Sequence, residues 1–277
     1  MLEMTEVSVY YESNKAKHHA VGPITLQVAD GETCAIIGPS GCGKTSLLRI
    51  MAGVQNNFTG RVKIDGNDLK PSMQRIAYIP QKNGLLDWKT IRNNCLLPVK
   101  IRKLPLDSEV YKRLREITRK MDIEDILDRY PSQVSGGQLQ RAAVARSLMI
   151  KPDLLLMDEP FSALDALSRE YAQNMLRCVL RDFKATAVLV THSIEEAVFL
   201  ADRVIVLSAS PGKIIADITT LSSEYEDRSA VRYTKLATII RQLIKEEWEG
   251  NCEEESDSVC AGYVNNKFDM VYNTPNI

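Results

Sequence analysis

Long apolar runs are missing from these 277 residues. No stretch approaches the roughly 20 apolar residues that a membrane-spanning helix needs, so a chain with built-in spans is excluded. The opening "MLEMTEVSVYYESNK" has no basic start followed by an apolar segment, and no secretory signal is expected. Histidine is scarce, with only His18, His19 and His192, which argues against a His-rich metal site. The six cysteines are scattered and form no C-x-x-C pair; they read as free thiols of a reducing compartment. Net charge is also small, at −1, so there is no overall basic field and no nucleic-acid partner is expected. No internal repeat is present.

What remains suits a folded α/β chain. Apolar residues make up 44% and charged residues 26%, which allows a sizeable core in one large domain, or in a domain with a subdomain and a tail. Charge is unevenly placed. Residues 246–257 hold seven acids and no base, leaving +6 on the rest. The chain therefore reads as a mildly basic body with an acidic appendage.

Residues 4–37 alternate like strands in "MTEVSVYY", "PITLQVAD" and "TCAIIG", and "GRVKIDG" and "RIAYIP" read as two more. From about 85 to 150 the texture is helical. "DSEVYKRLREITRKMDI" sets Val110, Tyr111, Leu114, Ile117 and Met121 on one face, with Asp107 or Ser108 as cap. "DLLLMDE" and "ATAVLVTH" are continuous apolar runs of strand length, suited to a parallel sheet buried on both faces, and helical patterns separate them. "SIEEAVFLA" opens with a capping box from Ser193 to Glu196. "RVIVLS" and "GKIIADI" flank the turn "SPG", an amphipathic helix is expected near 223–250, and 251–277 reads as a weakly ordered tail.

The stretch "GPSGCGKT", Gly38–Thr45, carries the chemistry. Gly38, Gly41 and Gly43, with Pro39, Ser40 and Cys42 between them, can turn backbone N–H groups inward as an anion nest. "KTSLLRIMAG" follows as a helix with Leu47, Leu48 and Met51 at helical spacing, stopping near Gly53; its N-terminus adds donors and partial positive charge. The spacing Gly38-x-x-x-x-Gly43-Lys44-Thr45 is the phosphate-loop pattern, in which Lys44 reaches the β- and γ-phosphates and Thr45 binds Mg²⁺. Downstream, "LLLMDEP" ends a strand in two acids. Asp158 is placed to serve the metal and Glu159 to polarise an attacking water. Gln81 follows another strand, where its amide can meet metal or water. His192 ends a third, able to donate to a γ-phosphate. "VSGGQ", Val134–Gln138, sets Ser135, Gly136 and Gly137 before a helical run, a second helix N-terminus prepared for an anion.

In order and spacing these segments resemble the ATP-binding cassette (ABC) family, the ATPase subunits of ABC transporters, over about residues 4–215. Gly38–Thr45 matches Walker A, "LLLMDE" Walker B, "VSGGQ" the signature (Val134 stands for the usual Leu), Ser162–Asp165 the D-loop and His192 the switch histidine. Tyr11 sits where the family stacks an aromatic on adenine, with Tyr10 adjacent. The resemblance implies a phosphate-loop NTPase fold: an ABC-type RecA-like core, an N-terminal antiparallel β-subdomain and an inserted helical subdomain at about 85–150, all within residues 1–222. It implies ATP and Mg²⁺ as cofactors. It also implies head-to-tail pairing, each ATP lying between Lys44 of one chain and the signature of the other, so that Ser135, Gly136, Gly137, Gln138 and Asp165 count among the nucleotide-binding residues.

Two classes of function then compete. DNA-repair members insert a long coiled coil between phosphate loop and signature, but Thr45 to Ser135 holds no sustained heptads; translation-type members usually carry two cassettes. An importer ATPase with separate permease subunits is the expectation, working at the cytoplasmic face of the membrane with an extracytoplasmic binding protein. "KNGLLDWKTIRNNCLLPVKI" resembles the nitrate, sulfonate and taurine branch, although Asp87 replaces its usual Pro. There Leu85, Leu86 and Trp88 either border the groove for the permease or belong to the subdomain core.

Overall fold

The computed structural model describes residues 1–13, 16–220 and 231–253. Two sheets organise the chain. Strands β1 (Leu2–Ser13), β2 (Ala16–Val28), β4 (Thr59–Ile64) and β5 (Asn67–Asp68) form an antiparallel sheet in the order β2-β1-β4-β5. Strands β3 (Thr33–Ile37), β6 (Ile76–Ile79), β7 (Leu154–Asp158), β8 (Ala187–Val190), β9 (Arg203–Leu207) and β10 (Ile214–Thr219) form the second, in the order β10-β9-β3-β8-β7-β6. All its pairings are parallel except the antiparallel edge pair of β9 and β10.

The continuous apolar runs of β3, β7 and β8 follow from burial on both faces. Alternate residues serve separate cores. Cys34, Ile36, Leu154, Leu156, Val188 and Val190 pack toward the antiparallel sheet and α1 (Lys44–Met51), whose Leu47, Leu48 and Met51 are fully buried there. Ala35, Ile37, Leu155, Met157, Ala187 and Leu189 pack on the other face. That second core includes α2 (Ile91–Ile101), α3 (Ser108–Lys120), α4 (Gly136–Leu148), α5 (Ala166–Phe183) and α6 (Ile194–Leu200). Helix α1 is thus clamped between two sheets, which fixes the loop before it.

On α3, Asp107 rather than Ser108 is the cap, accepting from Val110 N. Val110, Leu114, Ile117 and Met121 are buried, but Tyr111 is exposed, contrary to its expected place on that face. One residue on from Val110 is about 100° further round the helix, and its polar tip is compatible with water. Strand β2 begins at Ala16, ahead of the "PITLQVAD" run, because the hairpin continues through Tyr10 and His19, whose rings stack 4.5 Å apart.

Helix α7 (Val231–Glu253) packs on α6, burying Tyr233, Ala237 and Ile240. Tyr233 donates to the Glu195 carbonyl at 2.9 Å, and Arg241 pairs with the Glu195 carboxylate at 2.5 Å. The expected polar tail falls almost wholly outside the described residues, as does 221–230. Among the described residues no helix is long and apolar enough to cross a membrane.

Candidate functional site: a phosphate loop and two adjacent carboxylates

Four neighbouring strands, β3, β8, β7 and β6, deliver the candidate residues from their C-terminal ends, where open parallel sheets bind ligands. Beyond β3 the chain enters the glycine-rich loop. Gly43 is the N-cap of α1, at φ 95°. A Cβ there would also lie 2.6 Å from Val21 Cβ, so β2 packing excludes a side chain that conformation already disfavours. No side chain caps α1 and no acid stands in its first turn, leaving first-turn N–H groups without the usual side-chain acceptor. Lys44 Nζ donates to the carbonyls of Gly38 and Pro39, both at 2.8 Å, and lies 3.8 Å from Cys42 Sγ. Burial raises the Cys42 thiol above its usual range, against the pull of Lys44, so it fills space rather than reacts. An uncapped turn around a lysine fits a phosphate chain.

The two adjacent acids point different ways. Asp158 ends β7 and is buried; its Oδ1 accepts from Thr45 Oγ1 at 3.1 Å and its Oδ2 from Tyr78 OH at 3.1 Å. Glu159 adopts φ 46°, the left-handed region, which costs about 1–2 kcal/mol in a residue with a Cβ. Its backbone is held by Glu159 N to Val190 O at 2.9 Å, and by Ser162 N and Oγ donating to Glu159 O at 3.2 and 3.0 Å. Strain sustained in this way is common at functional sites. The reversal carries the Glu159 carboxylate away from Asp158 and toward Gln81 and His192. Gln81 Nε2 donates to Oε2 at 3.1 Å, and His192 Nδ1 lies 3.4 Å from Oε1. Ser193 and Thr191 brace the backbone beside His192. Ser193 Oγ takes the Glu196 N–H at 3.1 Å, but Glu196 Oε2 accepts from Thr191 Oγ1 at 3.2 Å, where a reciprocal capping box would turn it back to Ser193 N. Ser193 N instead donates to Thr191 Oγ1 at 3.0 Å.

Tyr11, not Tyr10, faces the loop helix: its hydroxyl is 2.7 Å from Ser46 Oγ and its ring is exposed, while Tyr10 stacks on His19. The signature residues gather elsewhere. Ser135 caps α4 in a complete capping box, its Oγ accepting from Gln138 N at 3.3 Å and Gln138 Oε1 from Ser135 N at 3.0 Å. Gly136 and Gly137 lie against Leu164 and Ser168, so α4 starts beside the Ser162–Asp165 turn. Asp165 caps α5 by accepting from Ser168 N at 3.0 Å; the Ser168 side chain, and then that backbone N–H, hold its carboxyl below the ordinary range. Among the described residues no hydrogen bond joins Ser135 or Asp165 to the phosphate loop.

Sequence reading missed Tyr78. Burial, and then the neighbouring Asp158 carboxylate, push its phenol up to about 12, so it stays a donor and orients Asp158. Its only sequence signal is a tyrosine two residues before the Pro80-Gln81 strand end. Leu85 is core, as one of the two expectations for it has it, but Trp88 is 72% exposed.

Loop, buried acid and turned-out glutamate place the chain among the phosphate-loop nucleotide hydrolases. Comparison narrows this further: the family model described as ABC transporter matches residues 21–162. The chain belongs to the ABC transporter family and is an ATPase subunit of it. It is 33% identical over 241 residues to an aliphatic sulfonates import ATP-binding protein of Bacillus thuringiensis subsp. konkukian, covering 87% of this chain and 94% of that one. It is 36% identical over 243 residues to a molybdate/tungstate import ATP-binding protein of Pyrococcus horikoshii, covering 87% and 69%. Among solved structures it is similar to the dimeric post-hydrolysis state of the ATP-binding cassette MJ0796 bound to ADP and Pi, with a TM-score of 0.70 and 29% identity over 79% of this chain and 99% of that one. These relatives set aside the repair-or-translation alternative.

Proposed function

We propose that this chain binds Mg-ATP and hydrolyses it in a head-to-tail dimer, driving uptake through separate permease subunits at the cytoplasmic face of a membrane. Residues 1–222 are then the ATP-binding domain, with a helical subdomain at about 85–150; of the C-terminal helix expected at 223–250, residues 223–230 lie outside the described residues and α7 (Val231–Glu253) follows them, and 251–277 are the appendage. The observation that carries the reading is the convergence of Gln81 and His192 on Glu159, beside the Thr45–Asp158 pair and the lysine-filled loop.

Roles follow from placement. Lys44, the loop from Gly38 through Pro39, Ser40, Gly41, Cys42 and Gly43, and the first turn of α1 take the β- and γ-phosphates; Tyr11 takes the adenine. Thr45 Oγ1 and Asp158 Oδ1 are two hard oxygens side by side, a donor pair that suits Mg²⁺ still holding phosphate and water ligands, with Gln81 nearby. An ion held there would supply charge neutralisation to the phosphates. Glu159 accepts from the attacking water, and His192 donates toward the γ-phosphate. Ser135, Gly136, Gly137 and Gln138 of a second chain close the site, with Asp165 of the facing D-loop. Within one chain no hydrogen bond joins Ser135 to the phosphate loop among the described residues, and in this account a second copy brings the signature to the nucleotide.

The named relatives import sulfonates and molybdate or tungstate, which supports an importer with a binding protein, and sulfonate-type cargo is the reading closest to the "LLDWKT" segment. Trp88, exposed beside the buried Leu85, is the permease contact in this account. Steady-state turnover of Glu159→Gln tests the function. A loss of about 10²–10⁴-fold with ATP affinity kept is expected; unchanged turnover would remove Glu159 from catalysis.

A further inference from the structure

The segment after Gln81 has no regular structure from Lys82 to Thr90, yet it is fastened at two points. At the far point, the buried Asn94 of α2 accepts from Leu86 N at 2.7 Å and donates to the carbonyls of Leu86, Lys89 and Thr90 at 3.0–3.1 Å. At the near point, Arg146 in the last turn of α4 donates Nη1 to Gly84 O at 2.6 Å and Nη2 to Asn83 O at 2.8 Å. Gly84 sits at φ 65°, and a Cβ there would come within 3.2 Å of Pro80 Cγ and 3.4 Å of Arg146 Nη2. The loop is therefore shaped around the guanidinium.

Arg146 is half-buried and, among the described residues, has no carboxylate within ion-pair distance. A cation in that position needs oriented dipoles to hold it, and the two successive carbonyls supply them. A planar fork with parallel N–H donors matches two such acceptors, whereas a lysine presents one point charge. The anchored carbonyls lie two and three residues from Gln81, whose amide bonds Glu159. The other end of the same helix is capped by Ser135.

We propose that Arg146 is a positioning residue for ATP hydrolysis, locking the Gln81 loop onto α4 so that Gln81 and the signature helix keep one fixed relation. The proposal rests on the assignment of Gln81 to the catalytic site. Arg146 touches no reacting atom; it acts through the loop.

The test is steady-state ATPase kinetics and thermal melting of the full chain with Mg-ATP, for Arg146→Ala, Arg146→Lys, Gln81→Ala and the double variant Arg146→Ala/Gln81→Ala. Misplacing a catalytic group by about 1 Å costs on the order of 10²-fold in rate, so Arg146→Ala is expected to lower kcat roughly ten- to a hundredfold, with KM for ATP within about threefold of wild type. Arg146→Lys, able to reach one carbonyl, should fall between. Because both changes act through one loop, the double variant should match Gln81→Ala to within about threefold. Wild-type kcat in Arg146→Ala overturns the proposal. So does a double variant that loses the product of the two single effects, or failure of both arginine variants to fold cooperatively, which would make Arg146 a core strut. Wild-type turnover in Gln81→Ala would instead strike the catalytic assignment of Gln81, and the proposal would fall with it.

Discussion

Two helix N-termini in this chain look alike in sequence and differ in structure. Both have glycine and a hydroxyl residue at the helix start. At α1 the cap is Gly43, no side chain satisfies the first turn, and Lys44 folds back into the loop. At α4 the cap is Ser135, and its box with Gln138 is complete. The first end has donors and charge to offer an anion within one chain. At the second, side chains already hold the Ser135 and Gln138 N–H groups, and no cation stands in its first turn. A glycine-rich helix start thus becomes a self-sufficient ligand site only where capping is withheld and a cation is added. The other kind gains meaning when a second chain brings a nucleotide against it.

Four changes break or sharpen that contrast. Ser135→Arg should leave ATP binding to the single chain intact and abolish turnover, since a bulky cation blocks the facing site while Lys44 is untouched; wild-type turnover would end the two-chain account of the signature. Lys44→Ala should weaken ATP binding by roughly 10²-fold, about 3 kcal/mol, through loss of charge-assisted bonds to the triphosphate, which calorimetry reads directly. Ser135→Ala removes the α4 cap and should cost about 1 kcal/mol in denaturant unfolding without nucleotide, where only the cap is read. Trp88→Ala is the mildest for the isolated subunit. An exposed side chain should change folding stability by less than about 0.5 kcal/mol, while co-purification with membrane subunits falls; a large drop in melting temperature would return Trp88 to the core.

Much of this was legible in the sequence because local rules and function agreed. The continuous apolar runs of β7 and β8 announced a sheet buried on both faces, whereas β3, read as alternating, is buried throughout; eight residues of loop spacing named a phosphate site. What stayed hidden was long-range. Tyr78 and Asp158 meet across 80 positions, and Arg146 reaches back 62 to Gly84; neither pair has a periodicity that betrays it. Tyr111 went astray because a helical stripe read from spacing is wider than the face that α3 buries. The left-handed backbone that sends Glu159 away from Asp158 has no signal in the sequence.

The central claim is that Glu159 drives hydrolysis in a sandwich of two chains held together by ATP. Size-exclusion chromatography of Glu159→Gln with Mg-ATP tests it most directly. An amide of the same shape is a far weaker base, so ATP should persist between the chains. A long-lived dimer is expected for the variant, with wild type largely monomeric under the same conditions. A variant that remains monomeric with ATP, or that turns it over at the wild-type rate, would contradict the account.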